Sequence, residues 1–304
     1  DGISWNVTSL PASRRWFGVT YGDGKFVAVA LSTDKGAYST DGINWNEFTL
    51  PASQGWHSVT YGNGKFVAVA GESSTGAYST DGITWSTMTL PTSQSWYGVT
   101  YGDGKFIAVA LNSNKGAYST DGITWTEMSM PQSAPWFNVA YGNGKFVAIT
   151  QGLTIAAYSA NGTAWSSITL PISASEGIAY GDGKFVVVPD NSNYGAYSTD
   201  GINWSQMRMP TSQTWRYVTY GNGKFVAVAM SATGAYWKAA ADVTYSISDT
   251  DITANTSVKM YLTDAGGVKA QSKANGSITV IRDSVPTTAI PYEYEVEQTS
   301  AEGL

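Results

Sequence analysis

The sequence predicts an all-β protein. A six-bladed β-propeller of four-stranded blades is expected over residues 1–238, followed by a small β-sandwich-like domain over residues 242–304. Three observations predict it. First, the phrase Tyr-Gly-Asp/Asn-Gly-Lys-Phe begins at Tyr21, Tyr61, Tyr101, Tyr141, Tyr180 and Tyr220, six copies spaced by 40, 40, 40, 39 and 40 residues. Second, each unit holds four short β-branched and aromatic runs bounded by Gly, Asn, Asp and Pro, which is the pattern of a propeller blade. Third, a phrase Tyr-Ser-Thr-Asp-Gly-x-x-Trp is split between the two ends of the repeat. Its back half is Asp1-Gly2-Ile3-Ser4-Trp5, and its front half returns at Gly234-Ala235-Tyr236. Residues 1–11 are therefore expected to supply the fourth strand of the blade whose first three strands lie in residues 215–237, so that no open edge remains.

The elements follow in order. Trp-x-x-Val-Thr-Tyr is the first strand of a unit, Lys-Phe-Val-Ala-Val-Ala the second and Gly-Ala-Tyr-Ser-Thr the third. Ile-Thr-Trp-x-x-Met-Thr-Leu is the fourth, ended by Pro51, Pro91, Pro131, Pro171 and Pro210. Asp-Gly or Asn-Gly between the first two strands suits a type I′ turn, which needs positive φ at both central residues. Asp and Asn alternate strictly there, as Asp23, Asn63, Asp103, Asn143, Asp182 and Asn222. Either residue serves the turn, so the alternation reads as the trace of a duplication and not as a metal site. After Asp242 tryptophan disappears. Runs at residues 243–247, 257–262, 277–281 and 290–296 alternate like half-buried strands.

Composition excludes several classes. The 304 residues contain no cysteine and one histidine, so disulfides, Cys-ligated metals and a His cluster are ruled out, and no metal or cofactor is expected. The charged fraction is 13% and the net charge −6, which argues against a duplex nucleic-acid partner. No apolar run is long enough for a membrane-spanning helix, so no membrane insertion is expected. The chain opens at Asp1, without Met and within a repeat, which suggests part of a longer polypeptide.

The phrase Tyr38-Ser39-Thr40-Asp41-Gly42-Ile43-Asn44-Trp45 resembles the Asp-box of sialidase-type (BNR) propellers, although here Gly directly follows Asp. The resemblance implies a structural turn between third and fourth strands, held by Ser and Asp, with Trp packing between blades. Asp41, Asp81, Asp121 and Asp200 take that role, and Asn161 stands in a weaker copy. The tail, from Gly276-Ser277-Ile278-Thr279-Val280 through Val285-Pro286 to Val296, resembles the C-terminal module of tail-fibre and baseplate proteins of phages and prophages of Gram-positive bacteria. Together these imply a phage tail receptor-binding or adhesin subunit, located on a virion tail or at a cell surface. The implied partners are a bacterial surface glycan, such as a teichoic acid or capsular polysaccharide, and other tail or fibre subunits. Fibres of this kind are commonly trimeric, so a homo-oligomer is implied too, although no heptad or collagen-like repeat is present.

Function is expected on one end of the ring. The turns after the first and third strands hardly change between units. The loops at residues 31–35, 71–75, 111–115, 151–155 and 190–194, at the opposite end, differ in every unit. The entry to the first strand lies at this variable end. Trp16, Trp56, Trp96, Trp136 and Trp215 recur there, with Ser175 at that place in the shorter fifth unit. The next residue varies: Phe17, His57, Tyr97, Phe137, Glu176 and Arg216. One reading is sugar binding, in which aromatic rings stack on pyranose faces and polar neighbours bond the hydroxyls. The other is packing of the indoles between blades. Lys25, Lys65, Lys105, Lys145, Lys184 and Lys224 form a ring at the constant end and read as solvated turn residues.

An enzyme is not expected. A sialidase-like site needs three convergent arginines, and the chain has only Arg14, Arg15, Arg208, Arg216 and Arg282. A two-carboxylate glycosidase needs a pair about 5–10 Å apart, for which Asp34, Glu72, Glu176 and Asp190 are the candidates. His57 has no Gly-x-Ser-x-Gly elbow to serve, and Gly22-Asp23-Gly24 leads into a strand, unlike a nucleotide loop. The alternatives to glycan recognition are a structural subunit that binds only protein, and a glycosidase.

Overall fold

A computed structural model of the chain describes residues 7–231 and 234–238, together with the strands Val243–Ile247, Val258–Leu262, Val268–Gln271, Gly276–Val280 and Glu293–Val296. The chain divides into two compact units, Asp1–Trp237 and Lys238–Leu304. Every regular element among the described residues is a β-strand.

The first unit is propeller-like. Its first sheet runs in strand order through β1 (Trp16–Gly22), β2 (Lys25–Ala30), β3 (Thr33–Ser39), β4 (Asn46–Gly62), β5 (Lys65–Gly71), β6 (Ser73–Ser79) and β7 (Ser86–Gln94). β4 serves two repeat units, pairing with β3 through its first half and with β5 through its second. Three four-stranded sheets follow, at residues 96–134, 136–169 and 174–213. A three-stranded sheet of Trp215–Gly221, Lys224–Ala229 and Gly234–Lys238 comes last. The first strands of successive units lie side by side: β1 beside β4, β4 beside Trp96–Gly102, and so on to Trp215–Gly221. Of the expected closing strand, residues 1–6 lie outside the described residues. Beyond them, Thr8 Oγ1 donates to the Ile43 carbonyl at 2.5 Å.

Local chemistry accounts for each strand. At the first hairpin Asp23 and Gly24 have φ of 46° and 71°, the pair of positive angles that a type I′ turn demands. After their leading lysine the second strands are almost wholly apolar, because in the first five units both faces are covered. Phe66, Ala68 and Ala70 pack towards the first unit with Val27 and Val29, whereas Val67 and Val69 pack towards Trp96 and Phe106 of the third. Adjacent units meet very closely where a glycine ends the first strand. A Cβ on Gly62 would lie 2.0 Å from Cγ of Tyr101, and the same overlap recurs at Gly22–Tyr61, Gly102–Tyr141, Gly142–Tyr180 and Gly181–Tyr220.

Two expectations about the fourth strand are corrected. It starts just after the Trp, since Trp45 and its copies still belong to the turn. Nor does proline end it at residues 51, 91, 131 and 210. β4 continues through Pro51, because the ladder is irregular there: Lys35 pairs with Thr49, and Thr33 next with Gln54. The extra residues bulge out, so the missing proline N–H costs no ladder bond. Only the fourth unit stops before its proline, with Ser166–Thr169.

In the second unit, Val243–Ile247 pairs antiparallel with Gly276–Val280. Val258–Leu262 is flanked antiparallel by Val268–Gln271, which the sequence reading did not anticipate, and by Glu293–Val296.

Candidate functional site

The tryptophans at the strand entries are buried. Trp56, Trp96, Trp136 and Trp215 are 0% exposed, and Trp16 is half-buried. Each indole N–H donates to the backbone carbonyl four residues earlier: Ala12, Ala52, Thr92, Gln132 and Thr211, at 3.1–3.3 Å. An amphipathic ring whose single donor is satisfied internally can be enclosed completely. The four enclosed indoles therefore offer no face for a sugar, which corrects that expectation. Pro-x-Ser-x-x-Trp recurs in five of the six units, as scaffold does, while the adjoining position varies.

That adjoining position converges. The Phe17 ring lies 5.0 Å from His57, 6.4 Å from Tyr97 and 6.2 Å from Tyr217, edge-on to all three, and 6.5 Å from Phe137. His57 stacks on Tyr97 at 3.8 Å. Room for the imidazole comes from Gly71, where a Cβ would stand 2.8 Å from Nε2. Burial, assisted by the positive charge of Arg15, lowers the His57 pKa to about 4, so the ring is neutral at pH 7. Its Nδ1 is buried with no hydrogen-bond partner. Burial also raises the Tyr97 pKa, with Glu72 adding to the shift, and takes Tyr217 up to about 12. Gly71 opens the variable loop 71–75, whereas Tyr217 has no sequence signal, because it lies one residue past the variable position.

Glu176 and Arg216, at the same position in the fifth and sixth units, form an ion pair. Glu176 is only 5% exposed. Gln151 Nε2 also donates to its carboxylate at 2.8 Å, and Asn138 Nδ2 donates to its carbonyl at 2.9 Å. The shortened fifth unit allows this. Ala174 pairs with Pro189, and regular pairing resumes only at Ile178 with Val187, so the intervening residues leave the ladder. Because Glu176 is committed to Arg216, it is poorly placed to exchange a proton with a substrate. Arg14 is likewise held, 2.7 Å from Glu47, and Asp34 sits 3.7 Å from Lys35.

The Asp-box residues hold their own turns. Asp41 Oδ1 accepts the N–H of Ile43 at 2.8 Å and of Asn44 at 2.7 Å, while Ser39 Oγ accepts that of Gly42 at 2.8 Å. Asp81, Asp121 and Asp200 repeat this. Asn161 Oδ1 makes the same two backbone bonds as a neutral amide. At Asp81 burial pulls the pKa upward but is outweighed by the N–H bonds of Thr84 and Ile83, leaving it at about 2. At Asp41 the Asn44 N–H leads the downward shift.

At the constant end, Asp and Asn are not interchangeable. Asn63 and Asn143 donate side-chain N–H groups to the carbonyls of Thr120 and Thr199 in the next unit, at 3.4 and 2.9 Å. A carboxylate cannot donate. Asp23 and Asp182 instead lie 3.6 and 3.9 Å from Lys25 and Lys184. The alternation thus has a structural use beyond duplication, and these two lysines of the ring face carboxylates.

No family model and no curated protein sequence matches the chain. Solved structures do. A streptogramin B lyase is 15% identical with a TM-score of 0.64, covering 74% of this chain and 83% of that one. A catalytically inactive variant of virginiamycin B lyase from Staphylococcus aureus, solved with quinupristin, is 15% identical with a TM-score of 0.63, covering 74% and 84%. A computationally designed protein is 10% identical with a TM-score of 0.58, covering 76% and 73%. Likeness at such identities is one of fold: the repeat region is an all-β, propeller-like structure.

Proposed function

We propose that this protein is a non-enzymatic recognition subunit of a phage tail or cell-surface adhesin, and that it binds a bacterial surface carbohydrate at the variable end of its repeat ring. One observation carries the reading. The position after the strand entry, which changes chemistry from unit to unit, gathers Phe17, His57, Tyr97 and Phe137 into one cluster, while Arg216 and Glu176, at the same place in the remaining units, pair with each other. Aromatic edges and faces next to ordered polar groups suit a sugar ring, which has apolar faces and a hydroxyl rim. Of the residues expected to contact sugar, Phe17, His57, Tyr97 and Arg216 stay in the proposal, and the enclosed tryptophans leave it together with Phe137, which is 5% exposed. The architecture that we propose is six blades, the last completed by residues 1–11, with a C-terminal β-sandwich that attaches or orients the ring. The lyase activity named for the structural neighbours is not carried over, since likeness of fold does not transfer a reaction.

A second reading, a structural subunit binding only protein, is favoured by the way the rings pack on one another with Phe17 at their hub. Calorimetric titration with teichoic acids and capsular polysaccharides separates the two. Saturable binding that is lost in folded Tyr97→Ala and Phe17→Ala variants supports glycan recognition. Silence toward every glycan, with capture of a neighbouring tail or surface protein, supports the structural reading. Turnover of a polysaccharide would refute both.

A further inference from the structure

Two charges at the variable end depart from the repeat, and both act on the same pair of stacked rings. Arg15 precedes the entry tryptophan, where other units carry Gly55, Ser95, Pro135 and Thr214. Glu72 sits in the turn after the second strand, where other units carry Ser32, Asn112, Gly152 and Asn191. All five of these turn residues have positive φ, 55° at Glu72. Glycine and asparagine enter that region readily, and a long acidic side chain gains nothing from it. Glutamate kept in a strained turn points to a use for the acid.

Both side chains lie by the stack of His57 on Tyr97. Arg15 comes two residues before Phe17, whose ring is 5.0 Å from His57. Its positive charge pulls down the pKa values of His57 and Tyr97. Glu72 follows Gly71, where a Cβ would stand 2.8 Å from His57 Nε2, and its negative charge pushes the Tyr97 pKa up. His57 and Tyr97 are half-buried, and Arg15 and Glu72 are exposed. Nearby charges are already committed: Glu176 to Arg216, Arg14 to Glu47 and Asp34 to Lys35. Among the described residues, no hydrogen bond or ion pair engages the side chain of Arg15 or of Glu72.

We propose that the ligand of this end is a zwitterionic sugar, whose ammonium is held by Glu72 and whose phosphate or carboxylate is held by Arg15, beside the His57–Tyr97 rings. This names the substrate class of the glycan site described above and rests on that reading. A guanidinium offers an anion two parallel hydrogen bonds. A carboxylate next to an aromatic face suits an ammonium, because both attract it. A neutral sugar would use neither charge, and a sugar of one sign would leave the other unmatched.

Calorimetric titration with glucosamine 6-phosphate, glucose 6-phosphate, glucosamine and glucose tests it, since only the first carries both charges. At low salt it should bind about threefold or more tighter than either singly charged sugar, and the advantage should shrink as salt is added. Glu72→Asn suits the left-handed turn, so it should fold, melt above the wild type and bind the two phosphates equally well. Arg15→Gln should bind glucosamine 6-phosphate no better than glucosamine. In that variant the His57 pKa, followed by NMR, should rise from about 4, because the cation that depresses it is gone. Equal binding of all four sugars by the wild type overturns this inference and leaves glycan recognition standing. A preference that survives both substitutions overturns it, and so does Glu72→Asn melting below the wild type, which would give the acid a structural use. Silence toward all four overturns it as well, and glycan recognition then stands or falls on the polysaccharide titration.

Discussion

Replacing Trp96 with alanine separates packing from ligand contact at the strand entries. Trp96 is 0% exposed and lies among Val67, Val69, Met88, Leu90, Val99 and Phe106, residues drawn from two repeat units. Truncation of a buried aromatic to alanine costs about 3–5 kcal/mol in lost transfer energy and cavity. The Thr92 carbonyl also loses its donor, at 3.3 Å, which adds about 1 kcal/mol. A loss of about 4–6 kcal/mol is a large share of the roughly 5–15 kcal/mol that holds a typical domain together. Trp96→Phe keeps most of the ring and should cost about 1–2 kcal/mol, chiefly the bond and a small void. Trp16→Ala, at the half-buried copy, should cost less than Trp96→Ala. Urea unfolding followed by far-ultraviolet circular dichroism would measure all three. A folded Trp96→Ala protein within about 1 kcal/mol of wild type would refute the packing argument. If it also lost glycan binding, the indole would be a ligand platform after all.

Four further outcomes are expected. Asp81→Ala should lose about 1–2 kcal/mol, the cost of removing a side chain that caps two backbone N–H groups, while Asp81→Asn should lose much less, because Asn161 already does this work as an amide. The same carboxylates have pKa values below their free range, so the unfolded chain takes up protons first. Their contribution is complete above about pH 4 and is lost as pH falls through about 2 at Asp81 and Asp121; melting temperature against pH would show it. His57 is also shifted down, from 6.5 to about 4, so the folded state resists its protonation. Its contribution is complete above about pH 6.5 and declines between 6.5 and about 4, and His57→Phe should flatten the melting curve across that window. Glu176→Gln should cost about 2 kcal/mol by leaving Arg216 without its carboxylate, and Arg216→Met in that background should cost less than it does alone, as a double-mutant cycle would measure.

Much of the repeat region was legible from its sequence because the repeat reports its own register. The type I′ turn at Asp23-Gly24 follows from two residues that tolerate positive φ. The boxes at Asp41 and its copies follow from a short polar side chain beside a glycine. Such turns close within a few residues, so local chemistry is enough to specify them.

What crosses between units was not legible. Pro51 looked like a strand end, and only the bulge opposite β3 shows how β4 passes through it. Asn63 and Asn143 looked like turn residues equivalent to Asp until their amides were placed against carbonyls of the next unit. Trp96 could have faced solvent or core, since a large amphipathic ring is compatible with both. Its burial depends on side chains some 30 positions away, such as Val67, which the sequence does not place beside it. Sequence alone determined the first three strands of each unit, their turns and the positions where units differ, because those features depend on neighbours along the chain. Tertiary structure decided which of the candidate residues gather, Phe17, His57 and Tyr97 around one point and Glu176 onto Arg216. That convergence is set by distances between separate units, and no local pattern encodes it.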